Sequence, residues 1–140
     1  MTIAVDTSVV IAGLLSWHEF HHRAFNALER AMVERQLVMP MPTLIESYSV
    51  MTRLPSAHRL SPAVAHEILR ESFAGVPVAA LAGTKVWDFL GTCAAEPIAG
   101  GRVYDALIAS AAIAAKVDEL LTFSPRDFDS FAGRIAIVVP

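Results

Sequence analysis

The sequence predicts a parallel α/β sandwich, because short apolar segments of strand character alternate with helix-patterned segments along the chain. A chain of 140 residues can bury one continuous core but not two, so we expect a single domain over residues 1–140. The first strand stops at a carboxylate, Asp6, and open α/β sheets bind their ligands along that edge. The predicted strands are 3–5, 37–40, 76–80, 119–123 and 135–139.

Helix-patterned segments fill the intervals between these strands. Ser16-Trp17-His18-Glu19 has the form of a capping box, which predicts a helix start there. Ser61 places a good N-cap ahead of Pro62 at the first helical position. Small residues on nearly every face of 102–115 predict a central helix that packs closely on more than one side. The predicted helices are 8–15, 16–36, 42–53, 62–73, 84–95 and 102–115, with a tight turn or short helix at 124–128.

The composition is richer in apolar residues than that of an average soluble domain, at 54% hydrophobic and 18% charged. We expect part of this excess to cover a partner surface rather than the core. The net charge of −3 argues against a protein coated in positive potential, so any contact with nucleic acid must come from a local basic patch.

Features of secreted and membrane proteins are missing from the sequence. No Lys or Arg precedes Arg23 and Asp6 interrupts the first apolar run, which argues against an export signal. No segment approaches the ~18 uninterrupted apolar residues of a membrane span. The single cysteine, Cys93, is predicted to be a small packing residue. We therefore expect a soluble protein in a reducing compartment.

Four acids are placed where a functional site is expected. Asp6 follows the first strand, Glu46 lies near the start of the third helix, Asp105 opens the small-residue helix and Asp127 follows the fourth strand. Parallel strands bring these positions to one edge of the sheet. Because the acids would repel one another there, the pattern predicts a divalent cation, and hard oxygen ligands suit Mg²⁺ or Mn²⁺.

Each acid also has a structural interpretation. Asp6 could be the N-cap of the helix that follows it, and Asp105 could complement the positive end of its own helix. Glu46 could serve a capping box with Thr43, and Asp127 lies in a cap-like turn. The apolar surroundings of Asp105 favour a functional role, since an unpaired carboxylate would be costly there.

Further candidates lie near the same edge. Thr7 and Ser8 could hold the Asp6 carboxylate or a metal-bound water, and they could equally be caps. Plausible phosphate contacts are Arg53, Arg102 and Arg126, each of which could also be an ordinary surface residue. His18, His21 and His22 have helical spacing, but no third soft ligand accompanies them, so a solvated helix face is favoured over a metal site.

Four motifs occur in order along the chain. They are Val-Asp-Thr-Ser-Val at 5–9, Pro-Thr-Leu-Ile-Glu at 42–46, Arg-Val-Tyr-Asp-Ala-Leu-Ile-Ala at 102–109, and Leu-Leu-Thr-Phe-Ser-Pro-Arg-Asp-Phe at 120–128. Together they resemble the PIN domain and, more narrowly, the bacterial VapC-type toxins. The resemblance implies a three-layer α/β/α sandwich with a mainly parallel central sheet of four to five short strands. It also implies a Mg²⁺-dependent endoribonuclease that is inhibited by a cognate antitoxin and is usually a homodimer in the cytoplasm.

Matched by motif, Asp6, Glu46 and Asp105 correspond to the three main acids of the family. Family members commonly carry Asp or Asn where this chain has Ser124, and serine is a poor anionic ligand. Asp127 either substitutes for the missing acid or only holds the turn. The resemblance implies hydrolysis of RNA phosphodiesters by metal-activated water, with the metal on Asp6 and Asp105 and with Glu46 acting directly or through water.

Two other functions compete with this interpretation. An aspartyl phosphatase resembling the haloacid dehalogenase family needs a second Asp two residues after Asp6, where this chain has Ser8. A catalytically degenerate PIN-like module that binds RNA or protein through its partner is favoured only by Ser124.

The apolar excess fits a homodimer interface and a groove for an antitoxin segment. The predicted walls are the helices 16–36 and 42–53. The candidate contacts are Phe20, Phe25, Tyr48 and Met51, with core packing as the alternative for each.

Overall fold

The predicted elements are all present in the computed structural model, which describes residues 1–140. The strands are β1 (Ile3–Val5), β2 (Met39–Pro40), β3 (Val78–Ala79), β4 (Glu119–Leu121) and β5 (Ala136–Val138). The helices are α1 (Thr7–Leu14), α2 (His21–Val33), α3 (Met41–Thr52), α4 (Pro62–Phe73), α5 (Val86–Ala95) and α6 (Arg102–Ala114). Short 3₁₀ helices cover Gly83–Lys85 and Pro125–Phe131. The prediction of an α/β fold with five short strands is confirmed.

Every strand pair in the sheet is parallel. β4 lies between β1 and β5, and β2 pairs with β3. A parallel β-bridge between Ile3 and Leu37 joins the three-stranded and the two-stranded groups. The resulting spatial order of the strands is β3-β2-β1-β4-β5. From β1 the chain continues to β2 and β3 on one side of the sheet, and it then crosses to β4 and β5 on the other side. The strand order therefore reverses between β1 and β4, and this position is the topological switch point of the sheet. Asp6 follows β1 at this point.

The sheet is covered on both faces, as the three-layer prediction requires. Ile3, Val5 and Leu121 point into a core built with α1, α2, α3 and α4. Ala4 and Leu120, the alternate residues of the same strands, point into a second core with α5, α6 and the last 3₁₀ helix. Cys93 is buried in this second core, which confirms its packing role. No helix is both long and apolar enough to span a bilayer.

The predicted capping box at Ser16-Trp17-His18-Glu19 is wrong. α2 begins only at His21, and its N-cap Phe20 makes no side-chain cap hydrogen bond. His18 lies in the preceding loop, where its Nδ1 accepts the N–H of Phe20 at 3.1 Å. His18 and His22 therefore do not lie one turn apart on a helix. A residue after the helix, Arg35, has a left-handed backbone (φ 55°) and ends it before residue 36.

The capping box proposed for Thr43 and Glu46 is also wrong, and this affects the site. α3 begins at Met41, so Thr43 lies inside its first turn. The Thr43 hydroxyl donates instead to the carbonyl of Val5 at 2.8 Å, which ties α3 to the end of β1. The Glu46 carboxylate is consequently not used at the helix start.

One of the four proposed interface contacts is not available on the surface, and a second is only partly exposed. Met51 is fully buried in the first core, and Phe20 is half-buried and stacks on Phe123. Phe25 and Tyr48 are exposed, as a surface role requires. For Met51, core packing is the correct interpretation.

Candidate metal centre

Three carboxylates predicted from the sequence converge at the carboxyl edge of the sheet. Asp6 follows β1, Glu46 lies in the second turn of α3 and Asp105 lies in the first turn of α6. One oxygen from each lies within 4.8 Å of the others. The three segments are far apart in sequence, so the cluster exists only because the parallel sheet brings helix starts to one edge.

Asp6 is held by three hydrogen bonds from the protein. The carboxylate is buried, with 4% of the residue exposed. Its Oδ1 accepts the N–H of Thr7 at 2.7 Å. Its Oδ2 accepts the hydroxyls of Ser8 at 2.9 Å and Thr122 at 2.8 Å. These three hydrogen bonds fix the position and the orientation of the carboxylate.

The two hydroxyls are themselves oriented by the backbone. Ser8 Oγ accepts the N–H of Phe123 at 3.0 Å, and Thr122 Oγ1 accepts the N–H of Ser124 at 2.9 Å. Each hydroxyl has only one hydrogen, and each directs it to Asp6. Ser8 thus holds the carboxylate, as one of its two predicted roles required. Thr122 was not among the predicted site residues, although it lies in the motif at 120–128 and near the end of a predicted apolar strand.

Asp6 also acts as the N-cap of α1, since its side chain accepts from Thr7 N. Asp6 can therefore be both a helix cap and a site residue, because Oδ1 accepts the N–H of Thr7 while Oδ2 accepts the two hydroxyls. Thr7 contributes its backbone N–H, and its buried hydroxyl has no hydrogen-bond partner.

Asp105 lies in a different electrostatic environment, with negative charges around it. Partial burial and the negative charges of Asp6, Asp127 and Glu46 raise the pKa of Asp105 to about 7, while Arg102 opposes the shift. Burial is the largest cause. The hydrogen bonds of the cluster all go to Asp6, so Asp105 and Glu46 keep free lone pairs.

The remaining predicted residues surround this cluster. Asp127 is exposed, yet its charge acts on Asp105. Ser124, at the fourth acidic position, contributes its backbone N–H to Thr122 rather than a side-chain contact. Arg102 is close enough to act on Asp105, whereas Arg126 is exposed on the last 3₁₀ helix.

A groove of about 620 Å³ opens beside the carboxylates, between α3 and the start of α6. Glu46 and Arg53 line it from α3, and Tyr104 lines it from α6. The groove thus brings one acid of the cluster and one predicted phosphate contact to the same surface.

The donor set fits a hard divalent cation. Two oxygens on opposite sides of a Mg²⁺ ion are about 4.2 Å apart, given metal–oxygen distances of about 2.1 Å. Oxygens within 4.8 Å of one another therefore need only small shifts to surround one ion. A cation would also remove the repulsion that raises the pKa of Asp105.

The chain is similar to known proteins over most of its length. The chain matches the PIN domain family over residues 3–133. It is 36% identical to "Ribonuclease VapC40" of Mycobacterium tuberculosis over 129 residues, which cover 92% of this chain and 91% of the relative. It is 38% identical to "Ribonuclease VapC27" of the same organism over 130 residues, with 92% and 89% covered.

Solved structures share the fold at low sequence identity. Mycobacterium tuberculosis VapC20, described as a sarcin-ricin loop cleaving toxin, superposes with a TM-score of 0.72 at 18% identity, covering 99% of this chain and 100% of the other. VapBC2 from Rickettsia felis, solved with a DNA fragment from its promoter, gives a TM-score of 0.71 at 15% identity, covering 100% and 99%.

Proposed function

The chain belongs to the PIN domain family, and on this premise we propose that it is a Mg²⁺-dependent endoribonuclease that acts as the toxin of a toxin–antitoxin pair. The observation that carries the proposal is the convergence of Asp6, Glu46 and Asp105 within 4.8 Å. Two relatives more than a third identical to this chain are named ribonucleases, which supports the reaction class. Mn²⁺ is the alternative ion, since it takes similar oxygen ligands.

In the proposed reaction Asp6 and Asp105 hold the ion, and Glu46 supports it directly or through water. When bound, the cation lowers the pKa of coordinated water and offsets negative charge on the reacting phosphate. Asp6 is oriented in advance by Ser8 and Thr122. Asp105 must give up its proton for the site to form, so the ion and the proton compete for this carboxylate.

RNA is the proposed substrate, with phosphate contacts from arginines at the rim. Arg53 shares the groove with Glu46, and Arg102 lies near Asp105. Arg126 is the third candidate, on the exposed 3₁₀ helix that follows β4. These cations provide the local basic patch that a chain of net charge −3 needs for contact with RNA.

We further propose a cognate antitoxin, a homodimer and a cytoplasmic location. Apolar surface outside the two cores supports protein partners. α3 presents exposed Ile45 and Tyr48 beside a groove of about 340 Å³ that it forms with α4 and β3. This groove could receive an apolar antitoxin segment, and exposed Phe25 on α2 is a candidate dimer contact.

The test is cleavage of total RNA by the purified protein with Mg²⁺, with EDTA, and with the Asp6→Asn variant. Asp129→Asn is the matched control, because Asp129 is an exposed acid that does not act on Asp105. We expect new 5′ ends at a recurrent site only for the wild type and Asp129→Asn in Mg²⁺. Equal cleavage by Asp6→Asn would refute the nuclease function. No cleavage by any variant would favour the degenerate binding module that Ser124 suggests.

A further inference from the structure

A continuous row of aromatic rings leads away from the acidic cluster. Phe123 stacks on Phe20 with ring centroids 4.8 Å apart, and Phe20 lies 5.9 Å from His18. His18 lies 6.0 Å from Trp17, which stacks on His58 at 4.1 Å. We call these five rings the aromatic ridge. It joins three segments that are distant in sequence, namely the loop before α2, the loop after α3 and the end of β4.

The ridge is connected to the carboxylates by hydrogen bonds. The N–H of Phe123 donates to Ser8 Oγ at 3.0 Å, and Ser8 Oγ donates to Asp6 Oδ2 at 2.9 Å. The backbone of Phe123, which carries the innermost ring of the ridge, is therefore linked to Asp6 through the single side chain of Ser8. His18 is also fixed in orientation, since its Nδ1 accepts the N–H of Phe20 at 3.1 Å.

The other end of the ridge is open to solvent. Trp17 is 48% exposed although a neighbouring ring, His58, supports it from one side. His58 is itself exposed. A tryptophan that stacks on a second ring is already oriented before a ligand binds. Binding of a ligand to it therefore costs little side-chain conformational entropy.

Positive charge accompanies the rings. The guanidinium carbon of Arg23 lies 5.3 Å from the ring centroids of both Phe20 and Phe123, within cation–π range. Arg59 is exposed and follows His58 in the chain. Interleaved aromatic and basic groups are the combination that binds single-stranded nucleic acid, because bases stack on the rings while cations contact phosphates.

We propose that the aromatic ridge is a stacking platform for unpaired RNA bases next to the scissile phosphate, with Trp17 as its outermost ring. The inference rests on the proposed ribonuclease function and adds the surface on which the RNA bases stack. Stacking accepts every base, so the ridge contributes affinity rather than base identity. The backbone link from Phe123 to Asp6 and the exposed Arg59, which follows His58 in the chain, favour RNA over a protein partner at this surface. The Arg23 guanidinium lies by the inner rings and also donates to the carbonyl of Pro140.

The two tryptophans of the chain provide a binding test with an internal control. Trp87 is 79% exposed on α5, on the second-core side of the sheet. In an Asp105→Asn background, which we expect to abolish cleavage, Trp87→Phe leaves Trp17 as the only tryptophan and Trp17→Phe leaves Trp87 as the only one. Excitation at the red edge of the absorption band, where tyrosine does not absorb, selects the tryptophan emission. A short RNA without internal pairing should quench the emission of Trp17 and leave that of Trp87 unchanged. Equal quenching of both, or of neither, would overturn the proposal.

A kinetic test separates the ridge from the nuclease function itself. In Mg²⁺, Trp17→Ala should raise KM for unpaired RNA by about 5- to 100-fold and leave kcat nearly unchanged, since stacking acts before and during the reaction alike. Trp17→Tyr should restore most of the loss, and Trp87→Ala should have no effect. Native circular dichroism of Trp17→Ala excludes misfolding as the cause.

The outcomes distinguish the two proposals. Cleavage by the wild type with an unchanged KM in Trp17→Ala overturns the ridge and leaves the nuclease function intact. Absence of cleavage by the wild type refutes the function, whatever the fluorescence shows. Quenching of Trp17 by the antitoxin but not by RNA would make the ridge a protein-binding surface and overturn the proposal.

Discussion

The two sides of the acidic cluster differ in what stabilises their charge. Asp6 is buried and receives three hydrogen bonds from Thr7, Ser8 and Thr122. Asp105 receives none, and burial together with neighbouring carboxylates raises its pKa to about 7. Asp6 is therefore held by hydrogen bonds within the fold, whereas Asp105 has no protein donor and would be stabilised by the cation of the proposed site. This division predicts which variants lose activity alone and which also lose stability.

The largest expected effect is on the rate of RNA cleavage, and loss of charge at Asp6 or at Asp105 should have a similar effect. Asp6→Asn and Asp105→Asn each remove a charged metal ligand from the proposed site, so each should lower the rate of Mg²⁺-dependent RNA cleavage by at least about 10²- to 10³-fold. Single-turnover rates at saturating Mg²⁺ measure this, with Asp129→Asn as the control. Near-wild-type cleavage by Asp105→Asn would remove it from the site.

The second effect is on the free energy of unfolding, and it should differ between Asp6 and Asp105. Only Asp6 takes part in the hydrogen-bond network. In Asp6→Asn an amide NH₂ must face either the Thr7 N–H or the two hydroxyls, so a buried donor loses its acceptor at a cost of about 1–3 kcal/mol. Asp105→Asn removes repulsion and should stabilise the metal-free protein. Urea unfolding in EDTA measures both changes, and destabilisation of equal size would refute the division.

Thr122 tests whether the network or the charge of Asp6 matters. Thr122 is fully buried, and Thr122→Val removes a donor to Asp6 and leaves the Ser124 N–H without its acceptor. We expect a loss of about 1–2 kcal/mol of unfolding free energy together with reduced cleavage. Thr122→Ser keeps the hydroxyl and should restore most of the activity. If the valine variant cleaves RNA normally, Thr122 does not position Asp6.

The smallest effect is a pH dependence of stability without metal. Folding raises the pKa of Asp105, so the folded state binds this proton more tightly than the unfolded chain does. The contribution to stability is therefore fully present below about pH 4 and is lost as the pH rises to about 7. The loss is well below the full linkage value, because Asp105 is only half-buried.

The thermal midpoint in EDTA across this pH range measures the effect. Asp105→Asn should remove this part of the slope. Mg²⁺ should stabilise the wild type more at pH 8 than at pH 5, because protons compete with the ion for Asp105. A slope that is unchanged in Asp105→Asn would assign the titration to another group.

Much of the fold followed from local sequence patterns. Five short apolar segments became five strands, and the N-cap at Ser61 formed as predicted, with Val64 N donating to Ser61 Oγ at 3.3 Å. The capping boxes at Ser16 and Thr43 did not form. Both segments have the residue spacing of a capping box. The Thr43 hydroxyl, however, donates to the carbonyl of Val5 at the end of β1. Local patterns cannot weigh a tertiary hydrogen bond against a helix cap.

The sequence by itself determined the alternation of strands and helices and the positions of Asp6, Glu46 and Asp105 near element starts, because periodicity and turn residues are encoded locally. Only the tertiary structure decided that the three carboxylates meet within 4.8 Å, that Thr122 holds Asp6, and that Trp17 and His58 stack. These contacts join residues far apart in the chain. Their geometry depends on strand order and helix packing, which no local window contains.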